Sequence, residues 1–596
     1  MKRTLLLLGL LAFTRILVAQ EILPKNFSAE ELEKIQRGEF SISTGRGIAS
    51  PPPYSNLRCA AEWEEIQALT IAWTSYPSIL KQIVAAAINE TEVIILTENP
   101  SETLDYLTST NAGGPAITNT SNITLVNGSF DSIWIRDYAG NTVYGSEVDD
   151  LVLVDWIYNR PTRPNDDASP ELIANELGVD LYTITESPED LVNTGGNWMS
   201  DGFGTAFASE LILEENDAGN PYGVSAKTEE EIDQIVSDYL GIDRYIKMTA
   251  LPYDGINHID MHMKLLDEET LLVGEYPEGI SDGPQINANI EYVLANYNSK
   301  WGTPYKVHRI PMPDSPSGLW PSSQPTAGFY RTYTNGVFVN NTFIFPTYRE
   351  QYDTTAFRIY EELLPGYNLV GIDCDNQDAQ IISASGAIHC ITHSVGVEDP
   401  LLISHQPLLD TEDSTNPYLV SAYINHRSGI ASARVFWKTS LTSTYNEVAM
   451  AFTADNIWEG FIPALSAGTT VYYYVEATSN SGKTQDRPIT APEGYWKFRV
   501  LGEVVGVQEN TVSFGKVFPN PASAMTCIPV NFNSNEQGKI VLVNMAGQVV
   551  HEVYQGAFPM GEKKFFFDAA MFASGVYNLR VIGEDFSASY PVIIHH

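Results

Sequence analysis

Three short segments that lie far apart in the chain carry side chains capable of nucleophilic and acid–base chemistry. Cys390 follows a glycine in the run SGAIHCITH, His258 and Asp260 stand two positions apart, and Asp137 ends the motif W-x-R-D. A thiol can attack an electrophilic carbon, a histidine can move protons, and carboxylates can hold a cation. The alternative for Cys390 is a buried structural thiol, because free cysteine is among the most buried residue types.

The local patterns predict how two of these segments present their side chains. Gly386 permits a sharp bend, and the apolar residues around Cys390 predict a short strand with the thiol at its edge. In a strand, His258, Asp260 and His262 would share one face. Such a face could hold a metal, but the sequence contains no HExxH motif and no further ligand cluster, so we expect neither a metal nor a cofactor.

Together the thiol, the histidine and the two carboxylates suit one substrate group, guanidinium. This group is planar, permanently cationic and rich in donors that pair with carboxylates. Asp137 and Asp260 would hold it from both sides while the Cys390 thiolate attacks the central carbon, which releases ammonia and leaves a urea. A protonated His258 would favour the thiolate and then protonate the departing ammonia. A cysteine protease fits less well, because two carboxylates beside the nucleophile would repel a developing oxyanion.

These segments belong to a region, residues 51–406, in which strand patterns alternate with helical ones. This mixed alternation predicts an α/β fold, and no internal repeat is visible. Asn340-Asn341 suits a hairpin turn. The predicted strands are residues 69–73, 93–96, 151–156, 270–273 and 337–345, and the predicted helices are residues 79–89, 228–240, 288–297 and 355–364.

Length, charge and the N-terminal region limit the class of protein. The 596 residues exceed a single core, and the formal net charge of −40 argues against nucleic acid and anionic membranes as partners. Four widely spaced cysteines predict no disulfide framework. Residues 1–20 resemble a secretory signal peptide, and no later stretch is apolar for about 18 residues, so no transmembrane segment is expected. Residues 21–50 then form a pro-segment or tether, with Arg46 as a plausible processing point.

Composition changes after residue 406. Residues 407–503 contain short alternating or aromatic strands separated by turns, which is typical of an immunoglobulin-like or fibronectin-like β-sandwich. Residues 504–513 are a linker, and residues 514–596 form another small all-β unit. Its motifs at residues 517–522, 544–550 and 574–579 resemble the C-terminal sorting domain read by the type IX secretion system. The resemblance implies a secreted or surface-attached protein, with the type IX machinery as a partner.

In their order along the chain, the motifs of the α/β region resemble those of the guanidine-modifying pentein superfamily. The match is closest to the Porphyromonas-type peptidylarginine deiminase family, with agmatine deiminases as near relatives, and covers about residues 55 to 405. It rests on W-x-R-D at 134–137, Gly-Gly-Asn at 195–197, His-x-Asp at 258–260, Tyr-Thr-Asn at 333–335 and Gly-x-Ile-His-Cys at 386–390. The resemblance implies a five-bladed α/β propeller, followed here by two small all-β sandwich domains, and no need for calcium.

The same resemblance implies catalytic or binding roles for the matching residues. They are the nucleophile Cys390, the general acid and base His258, the guanidinium clamp formed by Asp137 and Asp260, the supporting Asn335, and Trp134 along the arginine stem.

Substrate choice depends on Arg160 and Arg163. In the family, a pair of arginines in this stretch grips the carboxylate of a C-terminal peptidyl arginine, a group that agmatine lacks. We therefore expect a secreted peptidylarginine deiminase, a hydrolase of C–N bonds in linear amidines that acts on peptides or proteins. The alternatives are a secreted agmatine or free-arginine deiminase, a non-catalytic surface adhesin and, for the two arginines, surface pairing with Asp166 or Asp167.

Overall fold

The computed structural model describes residues 23–39, 42, 46–322, 328–501, 512–544, 548–583 and 587–596. The signal peptide predicted at residues 1–20, most of the predicted linker and residues 545–547 of the second C-terminal motif lie outside these ranges. The described residues fall into two compact units, one lying within the ranges Met1–Thr411 and Thr415–Val500 and the other within Glu412–Ser414 and Leu501–His596. Within the described ranges, no helix has the length and apolar character needed to cross a membrane.

The α-helices all belong to the first unit, as far as the chain is described. They are α1 (Ala29–Gln36), α2 (Pro77–Ala87), α3 (Pro100–Thr108), α4 (Ile135–Tyr138), α5 (Pro164–Asp167), α6 (Pro170–Leu177), α7 (Leu211–Glu214), α8 (Glu229–Leu240), α9 (Gly283–Asn296) and α10 (Glu350–Leu363).

The strands of the α/β region precede those of the all-β regions. They are β1 (Arg58–Cys59), β2 (Ile66–Ala72), β3 (Glu92–Thr97), β4 (Ile123–Asn127), β5 (Asn141–Tyr144), β6 (Leu151–Tyr158), β7 (Asp180–Ile184), β8 (Val192–Asn193), β9 (Met199–Ser200), β10 (Thr205–Ser209), β11 (Arg244–Met248), β12 (Met263–Leu265), β13 (Thr270–Glu275), β14 (Lys306–Pro311), β15 (Val337–Val339), β16 (Thr342–Thr347), β17 (Asn368–Asp373) and β18 (His393–Gly396).

Five sheets of the α/β region share one connectivity. In each, an antiparallel pair is followed by a helix and then by a strand parallel to the second member of the pair. The sheets contain β18-β2-β3-β4, β5-β6-β7, β9-β10-β11, β12-β13-β14 and β15-β16-β17, and β1 and β8 extend the second of them. The structure therefore contains a repeat that the sequence does not reveal by eye, because strand length and burial recur while residue identities do not.

Outside the catalytic motifs, the predicted strands and helices are confirmed with shifts of up to five residues at their ends, and the segment 337–345 forms two strands joined by a turn. At α8, Thr228 and Glu231 form a reciprocal cap at the start and Gly241 ends the helix in the left-handed conformation, as the sequence order of these residue types favours. Asn340, at φ 48°, turns the chain between β15 and β16, which confirms the predicted hairpin.

Two predicted strands in the catalytic motifs are wrong. Ile259–Met261 and His389–Ile391 are 3₁₀ turns, so neither the His258 face nor the Cys390 thiol lies on a strand. The physical reason is that the main-chain hydrogen bonds are local: Met261 donates to the carbonyl of His258, and Thr392 donates to that of His389. The strand β18 begins only after the Cys390 turn.

The predicted processing point is buried. The Arg46 guanidinium contacts the carboxylates of Asp155 at 2.7 Å and Asp167 at 2.9 Å, and only 4% of the residue is exposed. Ile48 pairs with Tyr182 beside β7. A protease would not reach Arg46 in this conformation.

The remainder of the first unit consists of strands alone. These are β19 (Leu402–Ser404), β20 (Tyr418–Asn425), β21 (Ile430–Lys438), β22 (Asn446–Ala449), β23 (Ala451–Phe452), β24 (Ile457–Ile462), β25 (Thr470–Ser479), β26 (Thr484–Arg487) and β27 (Trp496–Arg499). They form two sheets, β19-β20-β24-β23 and β22-β21-β25-β26 with β27 on β25, around a shared apolar core. The alternation of buried and exposed residues along β20 is the pattern that favoured strands here.

The second unit is also built of strands. These are β28 (Val512–Phe514), β29 (Met525–Phe532), β30 (Glu536–Val543), β31 (Val549–Phe558), β32 (Gly561–Asp568), β33 (Gly575–Gly583) and β34 (Ser587–Ile594). Two sheets, β28-β29-β32 and β31-β30-β33-β34, enclose a core in which the rings of Phe532 and Phe558 stack at 4.5 Å.

Candidate active site

The side chains that the sequence singled out for catalysis come together in one buried site. Asn335 Nδ2 lies 3.2 Å and Asp260 Oδ2 3.6 Å from Cys390 Sγ, and His258 Nδ1 lies 3.7 Å from Asp137 Oδ1. None of these five residues is more than 1% exposed. Their convergence from four separate segments is what a catalytic site requires and a merely structural thiol does not.

The Cys390 turn is held by Asn335. The Asn335 side-chain oxygen accepts hydrogen bonds from the backbone N–H groups of His389 at 3.0 Å and Cys390 at 3.4 Å. Immediately afterwards, β18 pairs with β2, with His393 opposite Thr70. The amide and the strand pairing together orient the thiol towards Asp260.

His389 is a further residue of the site, and sequence reasoning did not single it out. Its Nδ1 lies 2.8 Å from Asp260 Oδ2, and its Nε2 lies 2.8 Å from Glu62 Oε1. Burial and the nearby Arg136 guanidinium lower the pKa of His389, although Glu62 opposes them. His389 is thus a positioning residue for Asp260; its only sequence signal was its place beside Cys390, and none pointed to Glu62.

The two glycines of the Gly-Gly-Asn motif are required by close approach. A Cβ at Gly195 would lie 1.9 Å from the Arg136 carbonyl oxygen. A Cβ at Gly196 would lie 2.3 Å from His258 Nδ1 and 3.0 Å from Asp137 Oδ1. The Gly196 N–H also donates to Asp137 Oδ1 at 3.1 Å. The Gly-Gly-Asn motif, one of those that carry the resemblance to the family, therefore forms one wall of the site.

Lys25, from the predicted pro-segment, fills the centre of the site and was not predicted. Its ammonium donates to Cys390 Sγ at 2.8 Å and lies 3.9 Å from both Asp137 Oδ1 and Asp260 Oδ2. The residue is fully buried. Burial would lower the Lys25 pKa, but the two carboxylates and the thiol raise it above its ordinary value. A cation thus occupies the position between the two acids.

Burial dominates the acid–base properties of the site. It raises the pKa of the Cys390 thiol to about 12, with Asp260 adding to the effect and Lys25 opposing it. Burial and the Lys25 charge lower the pKa of His258 to about 3. Burial works against the Asp260 anion, but Lys25 and His389 hold its pKa below the usual range. With Lys25 in place, both shifts favour the neutral forms of the thiol and the imidazole, whereas the sequence predicted a thiolate beside a protonated His258.

The predicted substrate-binding residues surround the main chain of the Lys25 segment. Arg160 Nε donates to the Lys25 carbonyl at 3.0 Å, and Trp134 Nε1 donates to the Leu23 carbonyl at 3.1 Å. Arg163 pairs with Glu31. Both arginines are buried, so the alternative of surface pairing with the neighbouring aspartates is wrong.

His262 does not join the site's hydrogen-bond network. Both of its ring nitrogens lack a partner within the described part of the chain, and burial lowers its pKa to about 4. Among the described residues, no cluster of three or more His, Cys, Asp or Glu side chains is arranged to hold a metal ion.

Curated relatives match the α/β region. Two proteins, each named "Putative agmatine deiminase", come from Legionella pneumophila (25% identical over 351 residues, 56% of this chain and 93% of the relative) and Streptococcus mutans (26% over 333 residues, 52% and 85%). A solved X-ray structure of a protein with the same designation aligns with a TM-score of 0.50 at 21% identity, covering 59% of this chain and 99% of that one. This last similarity shows that the α/β region has the fold of that structure.

Two family models match the chain. Residues 516–595 match the secretion system C-terminal sorting domain, which indicates type IX secretion to the cell surface or the extracellular space. Residues 58–395 match the Porphyromonas-type peptidyl-arginine deiminase model, which spans every catalytic motif described above. The chain therefore belongs to the Porphyromonas-type peptidyl-arginine deiminase family, whose members are hydrolases of amidine C–N bonds, and carries a secretion sorting domain at its C-terminus.

Proposed function

We propose that this protein hydrolyses the guanidinium group of peptide-linked arginine to citrulline and ammonia through a covalent intermediate on Cys390. One observation carries the proposal: a cationic side chain attached to a peptide lies between Asp137 and Asp260, with its nitrogen 2.8 Å from Cys390 Sγ. A substrate guanidinium in that position would pair with both carboxylates and present its central carbon to the sulfur.

The reaction proceeds in two balanced halves. The Cys390 sulfur adds to the guanidinium carbon, the thiol proton ends on the departing nitrogen with His258 as relay, and ammonia leaves a thiouronium on the enzyme. Water then adds to the same carbon while His258 accepts its proton, and the carbon–sulfur bond breaks to give a ureido product and the free thiol. Asp137 and Asp260 hold the cation throughout.

Because burial opposes ionisation of the thiol, the substrate itself contributes to activation. Lys25 lowers the Cys390 pKa against the stronger effect of burial. A guanidinium of the same charge in the same place acts in the same direction. Thiolate formation therefore follows binding of the cation rather than preceding it.

Arg160 favours peptides over agmatine. Its buried guanidinium already donates to a main-chain carbonyl of the residue whose side chain fills the site. In a C-terminal arginine this carbonyl is part of a carboxylate, and the charge makes the hydrogen bond stronger. Agmatine has no group at this position, although the names of the curated relatives make it the second candidate substrate.

The remaining architecture is part of the proposal. The five sheets of common connectivity form the five blades of a pentein propeller, and residues 407–503 form an immunoglobulin-like module between the catalytic region and the sorting domain. Residues 1–20 direct export, and residues 21–50 are a pro-segment.

A substrate panel tests the function. Full-length protein and its Lys25→Ala variant are incubated with a peptide ending in arginine, a peptide with internal arginine, free arginine and agmatine, and ureido product and ammonia are measured. We expect the highest kcat/KM for the peptide ending in arginine, and no turnover by folded Cys390→Ser or His258→Ala. A preference for agmatine would show that agmatine, and not peptide-linked arginine, is the substrate. Absence of product from every compound would favour a non-catalytic adhesin.

A further inference from the structure

The residues beyond Lys25 occupy the rest of the proposed peptide-binding site. The Lys25 N–H donates to the Ala384 carbonyl at 3.1 Å, so the main chain is held on the nucleophile's side as well as by Arg160. Arg163 Nη2 donates to the carbonyls of Pro24 at 2.5 Å and Asn26 at 3.3 Å. These contacts involve only the main chain on either side of Lys25, so they do not depend on which side chains stand there. Binding of varied peptide substrates would need the same independence from neighbouring side chains.

The Glu31 carboxylate binds Arg163, the second of the two predicted substrate-binding arginines. Its carboxylate receives hydrogen bonds from Arg163 Nε at 2.7 Å and Nη2 at 3.1 Å, and from the Thr162 hydroxyl at 2.9 Å. Glu31 also belongs to the cap of α1, whose first residues follow Ser28. The bidentate pair is the geometry in which an arginine binds a substrate carboxylate. The segment therefore provides both a cation for the acids and an anion for Arg163.

An aromatic contact and an anchor complete the binding. The Phe27 ring lies 4.5 Å from the Arg160 guanidinium carbon. Further along, Ile48 exchanges main-chain hydrogen bonds with Leu181 and Thr183 at β7. Because the segment is covalently attached and anchored after the site, its effective concentration there is high.

We propose that residues 23–39 are an intramolecular inhibitor that binds the active site in the manner of a substrate, with Lys25 in place of the reactive arginine. This inference rests on the proposed function. A lysine satisfies the two acids but has no guanidinium carbon for the sulfur to attack, so it is bound and not consumed. The enzyme becomes active when the segment leaves the site.

The first experiment compares full-length wild type with Lys25→Ala and with the matched control Lys34→Ala. Lys34 lies on α1 of the same segment, where it is partly exposed and pairs only with Glu30 among the described ion pairs. We measure kcat and KM for a peptide ending in arginine, and the rate of Cys390 alkylation by iodoacetamide by mass spectrometry. Lys25→Ala should lower KM about tenfold or more at similar kcat and accelerate alkylation, while Lys34→Ala matches wild type. Equal KM and equal alkylation in wild type and Lys25→Ala would overturn the inference.

The second experiment uses Lys25→Arg. If the segment binds as a substrate, the arginine at position 25 is modified within its own chain. Mass spectrometry of the peptide that contains position 25 should then show the mass change of replacing nitrogen by oxygen. Adding Cys390→Ser to the Lys25→Arg variant should prevent this change. An unmodified position 25 in a chain that turns over added peptide would contradict substrate-like binding.

The two proposals fail in different ways. Faster alkylation in Lys25→Ala without ureido product from any arginine compound would retain the inhibitor and reject the deiminase activity. Turnover that is identical in wild type and Lys25→Ala, with equal alkylation, would retain the activity and reject the inhibitor.

Discussion

Both the nitrogen and the oxygen of the Asn335 side-chain amide contact the turn that contains Cys390. Nδ2 donates to Cys390 Sγ at 3.2 Å, while Oδ1 accepts the backbone N–H groups of the same turn. One side chain therefore both holds the Cys390 turn and would stabilise negative charge developing on its sulfur.

Replacing Asn335 should test this double role. Asn335→Asp keeps an acceptor for the backbone but substitutes a negative charge for the donor to sulfur, so the thiol pKa rises further and the activity profile moves to higher pH. Asn335→Ala loses both contacts, and we expect kcat to fall about tenfold to hundredfold. Steady-state kinetics across pH measure both effects. If both variants kept the wild-type kcat and pH profile, Asn335 would not act on the thiol.

Gly196 should be intolerant of even a methyl group. Gly196→Ala places a carbon 2.3 Å from His258 Nδ1 and so displaces the imidazole or Asp137. We expect kcat to fall about hundredfold, because small misplacement of catalytic groups is costly. Gly255→Ala is the control, since its added carbon meets only Asn26 Nδ2 at 3.9 Å. Comparable activity of the two variants, both folded by circular dichroism, would contradict the tight packing around His258.

Arg160 should set the affinity for peptides and not for small amines. Arg160→Gln removes the charged donor to the substrate carboxylate, and we expect KM for a peptide ending in arginine to rise about tenfold to hundredfold with little change in kcat. Agmatine turnover should hardly change. Arg427→Gln serves as control, because Arg427 is 41% exposed and pairs with Asp399. An equal loss on both substrates would show that Arg160 supports the fold rather than the carboxylate.

Glu215 should make stability pH-dependent. Its Oε1 accepts from Asn159 at 2.7 Å and Tyr222 at 3.1 Å, whereas Oε2 has no partner in the described residues. Burial raises its pKa from 4.5 to about 7, so the folded state holds a proton that the unfolded state releases. The stabilisation is complete below pH 4.5 and is lost as pH rises through 7.

Glu215→Gln removes this dependence while retaining the acceptor oxygen. We expect the variant to gain on wild type by up to roughly 3 kcal/mol in unfolding free energy between pH 4.5 and pH 8. Denaturant unfolding of both proteins at both pH values gives the pH-dependent change in unfolding free energy for each. Subtracting one change from the other cancels the contribution of the other titrating groups. If the unfolding free energies of wild type and Glu215→Gln differed by the same amount at both pH values, Glu215 would not titrate differently in the folded and unfolded states.

Tyr473 should stabilise the junction of the α/β region with the strands that follow. Its hydroxyl accepts from the Leu408 N–H at 2.7 Å and lies 2.9 Å from His405 Nε2. Tyr473→Phe leaves both groups without this partner in a buried setting, and we expect a loss of about 1–3 kcal/mol. Thermal unfolding measures it, with Tyr577→Phe, in the separate C-terminal unit, as the control. An unchanged midpoint for Tyr473→Phe would contradict the role of this hydroxyl.

Side-chain chemistry in short motifs was readable from the sequence. The residue types of Cys390, His258, Asp260 and Asp137 indicated a guanidinium site, whereas Asn335 was identified only through the resemblance to the family. Periodic segments were also readable: the capped helix α8 and the Asn340 turn depend on neighbouring residues only. Neither required knowledge of distant contacts.

Local backbone conformation in the motifs was decided by tertiary contacts. The alternation around His258 and Cys390 fits a strand, but a strand needs a paired neighbour, and here Asn335 and local 3₁₀ hydrogen bonds satisfy the backbone instead. His389 and Glu62 meet only because β18 returns to pair with β2 near the start of the region.

The sequence alone therefore determined which groups could perform the chemistry, the α/β and all-β regions, and the sorting tail, because each depends on composition or on residues close together in the chain. Only the tertiary structure decided that Lys25 lies on Cys390, 365 residues away. No periodicity or motif marks a single lysine in a polar segment. Its position follows from the electrostatics of a buried pair of acids, which exists only once five sheets have brought those acids together.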